Sequence, residues 1–160
     1  MKGLIVIGYT GIGKSSIAGQ LNSIDLESGY FRNGASDDWE ISYCELAMEL
    51  ADQGYTVLIS SHREVLEFIK TVPLPKNVGG VVVFCPPLRW KDAWIGRLKK
   101  IFELTNLEKD YEALKRAEEK YEEDILALVN SGLPVIQPAW IDYDLEEYIR
   151  KAQRDYCGFK

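Results

Sequence analysis

Gly8, Gly13, Lys14 and Ser15 stand at the spacing G-x-x-x-x-G-K-[ST], the pattern of a loop that wraps a polyphosphate. Glycines at 8, 11 and 13 leave no Cβ between the backbone N–H groups and a bound anion. Lys14 can reach the β- and γ-phosphates, and the Ser15 hydroxyl can ligate Mg²⁺. The ligands this implies are ATP and Mg²⁺. Gly8, Thr10, Gly11, Ile12, Gly13, Lys14, Ser15 and Ser16 line the donor site, and Ser15 is the metal ligand. The bland alternative, a glycine-rich turn beside a surface lysine, leaves the flanks unexplained. Residues 4–7 are apolar and β-branched, which reads as a buried strand. Ser16, Ile17, Ala18 and Gln20 read as a continuing helix whose N-terminus faces the phosphates.

Other side chains can supply the rest of a phosphoryl transfer. Asp25 can face the γ-phosphate and its Mg²⁺ or orient an acceptor, with Glu27 as a rival. The third strand ends L-I-S-S-H-R rather than in Asp, which disfavours a hydrolytic NTPase and makes Asp25 the replacement acid. Arg63 can grip an acceptor phosphate, and His62 is within reach as a base or a substrate hydrogen bond. Arg89, Lys91 and Arg97 follow the fourth strand, where cations can balance developing charge and a mobile cover can exclude water. Arg97 and Lys14 are the charge-balancing pair of this reading. Trp90 and Trp94 are four apart and share a face, as core or as a base-stacking platform. Arg32, Asn33 and Trp39, with Tyr30 and Phe31, offer an acceptor hydrogen bonds and rings.

These groups must be held by a fold. A chain of 160 residues accommodates one domain with a real core, taken as 1–160 with a lid over about 87–105. Net charge is −6, from 25 acidic and 19 basic residues, a poor balance for nucleic-acid binding. No run approaches a membrane span, and the first residues already enter a strand, leaving no signal peptide. Cys44, Cys85 and Cys157 form no C-x-x-C pair, and with one histidine they make no zinc site. The cytoplasm is the expected compartment, and a monomer or homodimer the expected state.

Strands and helices alternate. Strands are expected at 23–28, 56–60, 79–85 and 134–137. A loop is expected over 29–36, then a helix capped by Ser36 or Asp37 and stopped by Gly54. Further helices are expected at 64–71, 90–103 and 107–130, the last with a Glu112–Arg116 pair, and a terminal helix opened by Asp142 or Asp144. Continuous apolar strands between helices imply a parallel sheet covered on both faces, with ligands at the carboxyl ends of its strands.

The layout resembles the nucleoside monophosphate kinase group of P-loop proteins, and more narrowly the small nucleotide kinase-like proteins of bacteriophages. The resemblance rests on G-Y-T-G-I-G-K-S-S at 8–16, I-D-L-E-S at 24–28, L-I-S-S-H-R at 58–63 and P-x-x-x-W-K-D-x-W-x-x-R-L at 86–98. It implies a P-loop NTPase fold, three-layer α/β/α, with the P-loop strand at the centre of five parallel strands and a small helical lid. It also implies ATP and a (deoxy)nucleoside monophosphate as substrates, and host cytoplasm if phage-encoded. Arg63 would hold the acceptor phosphate and Arg97, with Arg89, would come from the lid. Kinases of other small metabolites share the strand, P-loop and Asp layout. A nucleotide-binding or NTPase module acting with a partner is the remaining class.

Overall fold

The computed structural model describes residues 2–32 and 37–158. Asn33 and Ser36 lie outside the described residues. Five strands form one parallel sheet: β1 (Gly3–Gly8), β2 (Ser23–Asp25), β3 (Thr56–Ser60), β4 (Val78–Phe84) and β5 (Val135–Ile136), in the order β2-β3-β1-β4-β5. Strand β1 is buried along its whole length, as its unbroken L-I-V-I run requires. Register pairs Ile7 with Ile59 and Val83, and Gly8 with Ser60 and Phe84, so the carboxyl ends of the three central strands stop level.

The helices are α1 (Lys14–Ile17), α2 (Gly29–Arg32), α3 (Trp39–Asp52), α4 (Arg63–Thr71), α5 (Lys91–Thr105), α6 (Glu108–Val129) and α7 (Leu145–Cys157), with a 3₁₀ turn at Leu88–Trp90. Strand alternation shows which helix covers which face. Gln153 of α7 donates to Thr56 Oγ1 at 2.9 Å, so Thr56 faces α7, and Leu4 beside it does too. Gly3, one residue earlier, faces the other way, and a Cβ there would collide with the Ala51 carbonyl of α3. Helices α3 and α7 therefore sandwich the sheet, giving three α/β/α layers. Helix α3 turns Tyr43, Cys44, Ala47 and Ala51 inward, and α7 turns in Leu145, Ile149, Ala152 and Cys157, both at helical spacing. All three cysteines are buried and free.

Several local expectations shift. The helix expected beyond the P-loop ends at Ile17. Ala18 leaves it at ψ 130, and Gly19, Leu21 and Asn22 take positive φ. The Ile17 carbonyl, which a continuing helix would give to residue 21, instead accepts from Gln20 N at 2.9 Å and Ser23 Oγ at 2.7 Å. The chain is thus turned straight into β2. The loop expected over 29–36 contains the short helix α2, whose Phe31 and Arg32 amides both donate to Ser28 O. Asp38 occupies the N-cap of α3, one residue beyond the expected cap. Arg116 pairs with Asp124 rather than Glu112, through two bonds of 2.8 Å, because the planar guanidinium fork matches a carboxylate side-on. Asp144, one of the two expected caps, accepts from Glu146 N at the start of α7.

The segment 87–105 is the 3₁₀ turn followed by α5, which packs along α6. No helix among the described residues is long and apolar enough to cross a membrane.

Close approach at Gly3 makes a direct prediction. Gly3→Ala must displace α3 backbone rather than a side chain, so urea denaturation should show a loss of about 1–3 kcal/mol. An unchanged midpoint would mean that α3 does not lie this close to β1.

Candidate functional site

The P-loop leaves β1 at Gly8 and enters α1 at Lys14. Gly11 and Gly13 have φ of 86 and 107, the left-handed region that favours glycine. A Cβ on Gly8 would drive into the Ile12 side chain, which is why the turn begins on glycine. Lys14 folds back over the loop and its Nζ donates to Gly8 O at 3.3 Å. Burial pulls its pKa below the usual lysine value, against the opposing pull of the Asp25 and Glu27 carboxylates. Asp25 ends β2, and burial raises its pKa, partly offset by Lys14. The acid and the lysine are therefore electrostatic neighbours. Ser15 is exposed on the first turn of α1, and Ser16 Oγ donates to Gly13 O at 2.6 Å. Among the described residues no three His, Cys, Asp or Glu side chains form a metal-binding group. Mg²⁺ needs no such cage, since it keeps waters and takes phosphate oxygens. The exposed Ser15 hydroxyl is of the type that such an ion takes.

The ends of β2 and β3 are tied together by a side chain of α3. Tyr43 Oη donates to Leu26 O at 2.6 Å and accepts from Ser60 N at 2.9 Å. Around it stand Phe31 at 5.3 Å and Trp39 at 5.8 Å between ring centroids, and Trp39 meets the His62 ring edge-on at 5.5 Å. His62 Nδ1 lies 2.8 Å from Ser60 Oγ. Arg32 ends α2 close enough to affect His62, and Arg63 opens α4 with its side chain exposed. Arg32 and Trp39 thus both lie near His62, the residue that precedes Arg63. Glu27 pairs with Lys109 of α6 at 3.5 Å, which links the α5–α6 hairpin to this side.

The remaining cations are placed differently. Lys91 pairs with Glu122 of α6 at 3.2 Å, and Arg89 lies over Trp90 at 5.7 Å. Arg97 reaches the P-loop on its carbonyl side, where Nε donates to Gly11 O at 2.7 Å. Trp94 is fully buried, and its Nε1 donates to Thr10 O at 2.9 Å. Tyr143, which no motif marked, donates from Oη to Ile12 O at 2.6 Å. Neither Tyr143 nor Lys109 announces itself in sequence, because its partner lies 131 or 82 residues away.

With this geometry in place, comparison with solved structures finds a likeness of fold. The fold resembles that of a shikimate kinase. The crystal structure of shikimate kinase from Bacteroides thetaiotaomicron superposes with a TM-score of 0.52 at 16% identity, over 94% of this chain and 95% of that one. Likeness at this identity concerns the fold: a P-loop NTPase-type, three-layer α/β/α domain. No family model and no curated protein matches the chain.

His62 gives the site a pH signature. Burial, and next the Arg32 charge, lower its pKa from 6.5 to about 4, against the pull of Glu64. Between these values the unfolded chain binds a proton that the folded one does not, so this residue's share of stability falls as pH drops from about 6.5 towards 4. Urea midpoints at pH 7 and pH 5 should differ less in His62→Gln than in the parent protein. Equal differences would show His62 to be solvated and ordinary.

Proposed function

We propose that this chain is an enzyme that transfers the γ-phosphoryl group of ATP to a small acceptor held at the ends of β2 and β3. The observation that carries the reading is the P-loop with Lys14 and Ser15 at its end and Asp25 as the neighbouring acid. An acceptor oxygen forms a bond to the γ-phosphorus while the bond to the β–γ bridging oxygen breaks, and that electron pair leaves on ADP. Lys14 balances charge on the transferring group. Ser15 would hold Mg²⁺, which when bound supplies charge neutralisation for the phosphates. A hydroxyl acceptor passes its proton to Asp25, whereas a phosphate monoester is already ionised and needs no base. Arg32 and Arg63 hold an anionic group of the acceptor, and the Phe31–Trp39–Tyr43–His62 wall holds a ring. The lid of this reading is the segment 87–105 extended by the first turn of α6, where Lys109 meets Glu27.

Two acceptor classes fit these groups. Likeness to a shikimate kinase supports a small non-nucleotide metabolite. The aromatic wall and two arginines support a (deoxy)nucleoside monophosphate. A hydrolytic module acting with a partner is disfavoured by β3, which ends in Ser60 where such a site needs an acid.

An acceptor panel of nucleoside monophosphates and small hydroxylated ring acids, with ATP and Mg²⁺, should show ADP formation that depends on one acceptor class. ADP formed equally without any acceptor would count against a kinase. Lys14→Ala should lower transfer by at least about a hundredfold with an unchanged thermal midpoint. Wild-type turnover in that variant would take the P-loop out of the reaction.

A further inference from the structure

Three consecutive carbonyls of the P-loop each accept a hydrogen bond from a distant side chain. Thr10 O accepts from Trp94 Nε1 at 2.9 Å, Gly11 O from Arg97 Nε at 2.7 Å, and Ile12 O from Tyr143 Oη at 2.6 Å. In a trans peptide plane the C=O of one residue and the N–H of the next point in opposite directions. Holding these carbonyls outward turns the amides of Gly11, Ile12 and Gly13 to the opposite side, towards the concave face where Lys14 lies. Among the described residues those three amides donate to no protein group.

The three donors are themselves locked together. The Trp94 and Tyr143 rings are parallel, with an interplanar angle of 3° and centroids 6.5 Å apart. The Arg97 guanidinium carbon lies 4.8 Å from the Trp94 ring and 5.4 Å from that of Tyr143, within cation–π range. Phe84, at the carboxyl end of β4, packs on Tyr143 at 5.4 Å. Burial raises the Tyr143 pKa to about 12, opposed by Arg97, so its hydroxyl keeps the proton it donates. The loop backbone lies directly against this wall: a Cβ on Gly11 would stand 2.7 Å from Leu98 Cδ2.

We infer that Trp94, Arg97 and Tyr143 are positioning residues that aim the P-loop amides at a polyphosphate by capping the carbonyls behind them. On this assignment Arg97 acts through the loop, from its carbonyl side, and its charge-assisted bond polarises the Gly11–Ile12 peptide. The inference rests on the phosphate-binding half of the proposed function, and on neither the acceptor nor the transfer step.

The test therefore uses the full chain with inorganic tripolyphosphate and Mg²⁺ as probe, followed by calorimetry and by ¹⁵N spectroscopy. Tyr143→Phe deletes one O–H and keeps the ring. Its tripolyphosphate Kd should rise about tenfold, with a thermal midpoint within about 2 °C of the parent. In the free protein the ¹⁵N resonance of Gly13, which shares a peptide plane with Ile12 O, should move. Trp94→Phe should weaken binding likewise and move Gly11. Parental affinity with unmoved resonances in both variants would overturn the inference. So would weaker binding accompanied by early melting and a spectrum perturbed throughout, which would mark a packing role. A parent that binds no tripolyphosphate overturns it together with the proposed function. Tight, variant-sensitive binding in a protein that phosphorylates nothing on the acceptor panel would uphold it and remove the kinase reading alone.

Discussion

A peptide plane has two polar ends, and a loop that turns its N–H groups towards a ligand must provide for the carbonyls it turns away. Much of this structure follows from that constraint at residues 10–12. Helix α5 stands where Trp94 and Arg97 can serve two of the carbonyls, and the loop before α7 brings Tyr143 to the third. Strand β4 underlies the arrangement, since Phe84 fixes the Tyr143 ring and its carbonyl accepts from Tyr9 N at 3.0 Å. Elements far apart in sequence thus converge behind one turn of backbone.

The opposite wall obeys a different logic. Between β2 and β3 the Tyr43 hydroxyl serves both strand exits, donating to Leu26 O and accepting from Ser60 N. Burial raises the Tyr43 pKa to about 12, so both bonds persist across ordinary pH. Rings then gather around that anchor, and the short edge strand β2 presents Asp25 to Lys14. The P-loop side is thus organised through backbone carbonyls, and the β2–β3 side through aromatic side chains.

Legibility in the sequence follows the range of the interactions. Strands β1, β3 and β4 are apolar runs that must be buried whatever their neighbours, and they stand where composition places them. Gly54, with φ of 100, ends α3 as a glycine after a helix should. The P-loop motif carries its own geometry. What was hidden depends on partners far along the chain. Leu21 and Asn22 take left-handed conformations that neither residue advertises, because the route from α1 to β2 is short. Arg116 has an acid four residues back and another eight residues on, and spacing along the sequence does not single out Asp124. Tyr143 reads as one more aromatic near a terminal helix until Ile12 is seen beside it. For Arg97 the sequence showed a cation near the loop, but which side of the loop it approaches is decided by the α5 packing.

The brevity of α1 bears on how the site grips charge. Peptide dipoles aligned along a helix add up to a partial positive charge at its N-terminus, and long helices behind phosphate loops are often credited with the attraction. Here the helix is four residues long, and Ala18 already breaks the alignment. Little axial field can build up over a single turn. Attraction for an anion must then come from the individual dipoles of the turn itself and from the Lys14 ammonium, both of which act over a few ångströms. Such a short-range field discriminates by shape: it rewards a ligand whose oxygens meet each N–H in turn, and offers little to an anion that merely comes near.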